Sequence, residues 1–90
     1  MKRAVLKTHG RVQGVFFRAA VKKKAEELDL TGWVCNEEDG SVTIVAEGEQ
    51  NVLQKLIDWC YNGSKYSKVD RVDVDWEEAT GEFDNFQIKY

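Results

Sequence analysis

The 90-residue sequence has no proline, one histidine and two cysteines. Without proline, and without any low-complexity tract or internal repeat, nothing in it reads as a linker. Cys35 and Cys60 form no C-x-x-C pair and His9 is the only imidazole, so the donor set for a zinc site is missing. Both cysteines are expected as buried free thiols, Cys35 in a strand and Cys60 on the apolar side of a helix. No apolar run approaches the roughly 20 residues that a membrane-spanning helix needs. No basic-then-apolar leader opens the chain, which makes the cytoplasm the expected location. The length suits one domain over residues 1–90, with room for one core.

Charge is present but uneven. Through Asn36 there are eight Lys and Arg against three acidic residues, a net of +5; from Glu37 there are five against thirteen, a net of −8. The overall −3 argues against general nucleic-acid affinity, while the basic first half leaves room for a local anion site. The Lys22-Lys23-Lys24 run reads as a solvated helix face.

Hydrophobic periodicity gives the order β-α-β-β-α-β with a short final strand. Residues 3–9 alternate as a first strand. Phe17, Val21, Ala25 and Leu28 recur at helical spacing, with Gly32 as the expected stop. Residues 33–37 and 42–47 read as strands joined as a hairpin through Glu38-Asp39-Gly40. Val52, Leu53, Leu56, Ile57 and Cys60 mark a second helix that ends near Asn62-Gly63. Val72, Val74 and Trp76 alternate with Asp73 and Asp75, and Phe86, Ile88 and Tyr90 repeat the pattern at the end. Apolar stripes on both helices and apolar faces on the strands are buried together when both helices lie on one face of the sheet. The expected fold is therefore α+β, a ferredoxin-like α/β sandwich with a mixed, mainly antiparallel sheet.

Between the first strand and first helix lies GRVQGVFFR, Gly10 to Arg18. Helix-start N–H groups have no intrahelical acceptor and sit at the positive end of the dipole. A loop curled over that end can direct the amides of Val12, Gln13, Gly14, Val15, Phe16 and Phe17 at one anion. Gly14 suits the positive φ of such a curl, and Arg18 adds a guanidinium able to grip two phosphate oxygens. On spacing alone, an ordinary strand-to-helix turn fits as well. The nucleotide-binding patterns G-x-x-x-x-G-K-[ST] and G-x-G-x-x-G are absent. Asn36, near the end of the second strand, offers a carboxamide that can hold a water beside such an anion, or can simply bond its own turn.

GRVQGVFFR resembles the acylphosphatase signature G-x-V-Q-G-V-x-F-R. GWVCNEEDGSVTIVAEG, Gly32 to Gly48, resembles the second signature of that family, and the ending NFQIKY is similar to the usual one. The resemblance covers essentially the whole chain. It implies hydrolysis of acyl phosphates to a carboxylate and inorganic phosphate, with no metal or cofactor. It also implies phosphate binding by the loop and Arg18, and a water oriented by Asn36. Two departures stand out. Cys35 occupies a position where Lys, Arg or Gln is usual, and Glu37 and Glu38 follow Asn36 directly.

Neither Arg18 nor Asn36, the residues to which the resemblance gives the chemistry, is a general acid or base. A departing carboxylate, with a conjugate acid pKa of about 4, needs no protonation, whereas an alkoxide would. Acyl phosphates rather than monoesters are thus the expected small-molecule partners. His9 is a rival phosphoryl acceptor, but lies outside the motif and is expected to be structural. An RNA-binding module would want aromatics in Ser41–Ala46, and a metal chaperone would want C-x-x-C in the loop. A non-catalytic anion-binding or regulatory domain of the same fold is the remaining alternative. No nucleic-acid or membrane partner is expected, and the chain is expected to be a monomer.

Overall fold

Ala4, Leu6 and Thr8 are buried while Arg3, Val5, Lys7 and His9 between them are not, so the first strand has one dry face and one wetter one. The computed structural model describes residues 1–90 and builds seven elements from such patterns. They are β1 (Lys2–Arg11), α1 (Phe17–Glu27), β2 (Thr31–Asn36), β3 (Val42–Gly48), α2 (Gln50–Asn62), β4 (Lys68–Glu78) and β5 (Phe86–Lys89). The sheet order is β4-β1-β3-β2-β5, antiparallel except for the parallel β2–β5 pair. α1 packs on β2 and β5, and α2 on β4 and β1. Phe17, Val21 and Ala25 of α1 and Leu53, Leu56, Ile57 and Cys60 of α2 join Ala4, Leu6, Val34 and Ile44 of the sheet in one core cluster. This is the expected ferredoxin-like α+β sandwich, with both helices on one face.

Several boundaries differ from the sequence expectations. Gly32 does not end α1 but lies inside β2; Asp29 takes the left-handed position after the helix, with φ 56°. The N–H of Leu30 then donates back to Ala25, closing the last turn. β1 and β4 are longer than their alternating segments, because a backbone ladder needs no apolar side chains to continue. The hairpin loop is wider than an Asp-Gly turn. Glu37 N–H donates to Ser41 and Gly40 N–H to Glu37, while the Asp39 carboxylate accepts from the N–H and hydroxyl of Ser41. These two bonds, with Lys7 close by, hold Asp39 well below the usual carboxylate range. Cys60 is fully buried, and burial pushes its thiol up to about 12; Cys35 is only half-buried, on the face away from the helices.

That second sheet face is closed at one end by a carboxylate. Glu47, its side chain 4% exposed, pairs with Arg3 and accepts from the N–H groups of Thr80 and Gly81. It thereby pins the segment that leads from β4 to β5. Burial alone would raise its pKa, but the Thr80 amide, Arg3 and the Gly81 amide outweigh burial, and the net shift is downward from the ordinary 4.5. A lowered carboxyl pKa stabilises the fold fully above the unfolded value, and that contribution is lost as the pH falls through the folded one. Glu47→Gln should cost about 1.5–3 kcal/mol at neutral pH, the range for hydrogen bonds to a charged group. Urea denaturation at pH 7 and pH 3 checks this: the difference between parent and variant should shrink on acidification.

Candidate active site

The topology brings the C-terminal ends of β1, β2 and β5 to the same end of the sheet. There β1 runs past its last pair with β3 at Thr8, shifts register through a bulge between His9 and Gly10, and stays paired with β4 as far as Arg11. Gly10 has φ 123°, and a Cβ there would stand 2.3 Å from the Lys68 carbonyl oxygen, so a side chain would push β1 and β4 apart. The loop that follows alternates inward and outward. Val12, Val15 and Phe17 are buried, whereas Gly14 and Phe16 are exposed. Gly14 and Phe16 both have positive φ, 70° and 62°.

Phe16 is the N-cap of α1 and supplies no side-chain cap, and the first turn holds no acidic residue. The N–H groups from Gln13 to Ala19 have no acceptor within the chain. Arg18 stands beside them, half-buried, with its guanidinium 5.0 Å from the centre of the Tyr90 ring. None of the ion pairs of the structure involves Arg18. Val12, Gly14, Phe16, Phe17 and Arg18, with Ala19 and Ile88, line a cavity of about 270 Å³. Unpaired donors at a helix start next to an unpaired cation make an anion site on general grounds.

Gln13 and Val15, the other two loop residues expected at the site, do not line that cavity. The Gln13 carboxamide instead donates to the carbonyls of Glu37 (2.7 Å) and Ser41 (2.9 Å), at the base of the β2–β3 hairpin. It ties the loop to the strand end that carries Asn36. On the loop's other side, Ser64 Oγ donates to the Val15 carbonyl (3.4 Å). The bracing by Gln13 and the ring of Tyr90 under Arg18 carry no sequence signal beyond the motif positions themselves.

Asn36 closes β2 on the helix-covered side, in one row with Val42 and Thr8. It is not part of the cavity lining around Arg18. Its Oδ1 is buried and has no hydrogen-bond donor in the chain. A buried orphan acceptor costs about 1–3 kcal/mol. It therefore favours a donor from outside, such as a water.

Cys35 lies on the opposite sheet face, in register with Thr43 and Lys89, so its replacement of a cation or amide does not put a thiol next to Asn36. Glu38 is exposed, and Glu37 enters the site only through its carbonyl. His9 also faces away from the helices. Its Nε2 lies 3.1 Å from Asp73 Oδ2 and 3.2 Å from Arg71 Nη2, so the ring belongs to a β1–β4 polar cluster. No three His, Cys, Asp or Glu side chains are grouped to hold a metal ion.

Comparison with known proteins places this geometry. A family model described as Acylphosphatase matches residues 4–88. An acylphosphatase of Roseiflexus sp. is 49% identical over 88 residues, covering 98% of this chain and 95% of the relative. One from Salinibacter ruber is 44% identical, covering 98% and 93%. The crystal structure of acylphosphatase from Bacillus subtilis superposes with a TM-score of 0.96 at 40% identity, over the full length of both chains.

The bracing and the outward His9 make opposite predictions for two variants. Gln13→Ala should weaken inorganic phosphate binding about tenfold, as loss of the two bonds frees the loop. His9→Ala should leave it within about twofold. Isothermal titration with phosphate measures both.

Proposed function

The chain belongs to the acylphosphatase family, and we propose that Arg18, Asn36 and the loop amides from Val12 to Arg18 carry its reaction. It hydrolyses the carboxyl-phosphate bond of acyl phosphates to a carboxylate and inorganic phosphate. The strongest support for these residues is the unpaired Arg18 guanidinium beside backbone N–H groups that have no acceptor.

Phosphoryl transfer spreads charge over the three equatorial oxygens in a loose transition state. The loop amides, braced by the bonds of Gln13 and Ser64, and Arg18 stabilise those oxygens. Asn36 Oδ1 accepts a hydrogen bond from a water and turns its lone pair to phosphorus, opposite the leaving group. The new bond joins water oxygen to phosphorus. The bond from phosphorus to the acyl oxygen breaks, and its electron pair stays on the carboxylate. Both water protons remain on the product, dihydrogen phosphate, so charge and atoms balance without an external acid or base. The carboxylate leaves unprotonated because its conjugate acid has a pKa of about 4. No step requires a metal, and alkyl phosphate monoesters, whose alkoxide would need a proton, are poor substrates.

We further propose that residues 1–90 act as one domain and as a monomer in the cytoplasm. A single core cluster draws on both helices and all five strands. The sheet edges are the acid-rich β4 and the four-residue β5, both unfavourable templates for pairing. No helix is long and apolar enough to cross a membrane.

With benzoyl phosphate and a metal chelator, the parent should turn over normally. Arg18→Ala should lose about 10³-fold or more in kcat/KM together with competitive inhibition by phosphate. Asn36→Ala should lose about 10²-fold in kcat, the scale of one positioned hydrogen-bonding group, while phosphate still inhibits. Parent-like turnover by Asn36→Ala would remove the water-orienting role; phosphate binding without turnover in the parent would point to a binding domain.

A further inference from the structure

A second cavity, of about 330 Å³, opens on the other side of the same loop, lined by Arg11, Gly14, Val15, Phe16 and Tyr66. It shares Gly14 and Phe16 with the cavity that holds Arg18. We infer that this cavity receives the acyl group of the substrate, and that the Phe16–Tyr66 pair selects aromatic and bulky apolar acyl groups over small ones. The inference rests on the assignment of phosphate to the Arg18 loop and of the attacking water to Asn36.

Three observations lead there. The first is direction. In-line attack places the leaving group opposite the water. Asn36 lies on β2, and in the order β4-β1-β3-β2-β5 the loop springs from β1. The side away from Asn36 is the β1–β4 side, where Arg11 pairs with Lys68 and Tyr66 precedes β4.

The second is the exposure of two aromatic rings. Phe16 is 76% and Tyr66 60% exposed, yet they meet edge to face with centroids 6.2 Å apart. Phe16 keeps φ at 62°, a left-handed conformation that is unfavourable for a non-glycine residue. That strained backbone holds the ring outward instead of in the core. Tyr66 is fixed as well. Its turn is closed by bonds between Ser64 and Ser67, and Ser64 Oγ binds the loop at the Val15 carbonyl. A direct hydrogen bond thus joins the turn that carries Tyr66 to the loop that carries Phe16.

The third is charge. Arg11 has no acidic partner among the ion pairs, and Lys65 Nζ lies 5.6 Å from the Tyr66 ring centre. The group that leaves along this path is a carboxylate. A cavity of about 150 Å³ already accommodates benzene, so the size admits an aryl group.

The test is the ratio of kcat/KM for benzoyl phosphate to that for acetyl phosphate, with the inhibition constant of inorganic phosphate as a separate readout of the loop. Tyr66→Ala should lower the ratio about five- to tenfold, the scale of one aromatic contact, with the phosphate constant within about twofold. Tyr66→Phe should keep the parent ratio. An unchanged ratio in Tyr66→Ala, or a phosphate constant that rises in step with the loss, would overturn the assignment. Failure of the phosphate site itself gives a different signature: Arg18→Ala would then retain phosphate inhibition, whatever Tyr66 does.

Discussion

The site depends on a stretch of backbone that the fold prevents from satisfying itself. From Gln13 to Ala19 the N–H groups find no acceptor in the chain. In most loops such donors turn toward a carbonyl or a side-chain cap. Here Val12, Val15 and Phe17 are sunk in the core, and their packing fixes how the backbone between them faces. Gln13 and Ser64 hold the loop from two sides through side-chain bonds, which leaves the loop amides unused. The cradle is thus a consequence of core packing.

The ion pairs have a matching effect. Arg3, Lys7, Arg71 and His9 stand against carboxylates on the sheet face away from the helices, Lys22 and Lys24 do so along α1, and Lys2 pairs with Glu78 on the other sheet face. Most are exposed and individually stabilise by less than about 1 kcal/mol. Their larger consequence is distributive. A chain with a net charge of −3 neutralises many of its acids locally, and Arg11 and Arg18, at the two ends of the loop, keep no acidic partner. The acidic second half therefore does not quench the basic first half at the loop where the proposed mechanism puts the dianion. Glu37 and Glu38 directly follow Asn36, but the hairpin loop turns them along the rim, and the backbone of Glu37 is the part that contributes.

Periodicity made the order of elements and the two-layer arrangement legible, because each helix stripe and strand face needs a partner. The Gly10–Arg18 loop and Asn36 were singled out by their resemblance to the family signatures, since type and spacing alone fitted an ordinary turn as well. Details that depend on three-dimensional registry were not. Gly32 looks like a helix stop, yet an aspartate in the left-handed region ends α1 and frees Gly32 for β2. Gln13 reads as one more loop amide, yet its side chain reaches the hairpin base 24 residues away. Tyr90 looks like the last residue of a strand, yet its ring lies against Arg18. Tyr66 sits in a polar turn and gains meaning only because Phe16 meets it across the sheet edge. Each of these is a contact between segments far apart in sequence, and no local pattern encodes it.

The amide at position 36, in the proposed mechanism, also has a physical reason to be an amide. A carboxylate there would be the stronger base for the incoming water. It would also place a negative charge close to a phosphate dianion. Two unit charges about 4 Å apart at an effective dielectric near 20 interact by about 4 kcal/mol, and the dianion doubles that repulsion. A base adds at most about 10⁴-fold in rate, some 5 kcal/mol, and less when bond breaking to a good leaving group runs ahead of attack. The repulsion would therefore exceed the gain. A neutral carboxamide keeps the lone pair that aims the water and avoids that repulsion, and Oδ1 has no partner in the chain to compete for it. The same balance explains why a small fold without a strong acid or base at the site suits this bond: the leaving group already carries its charge stably, so holding and aiming are the work left to the protein.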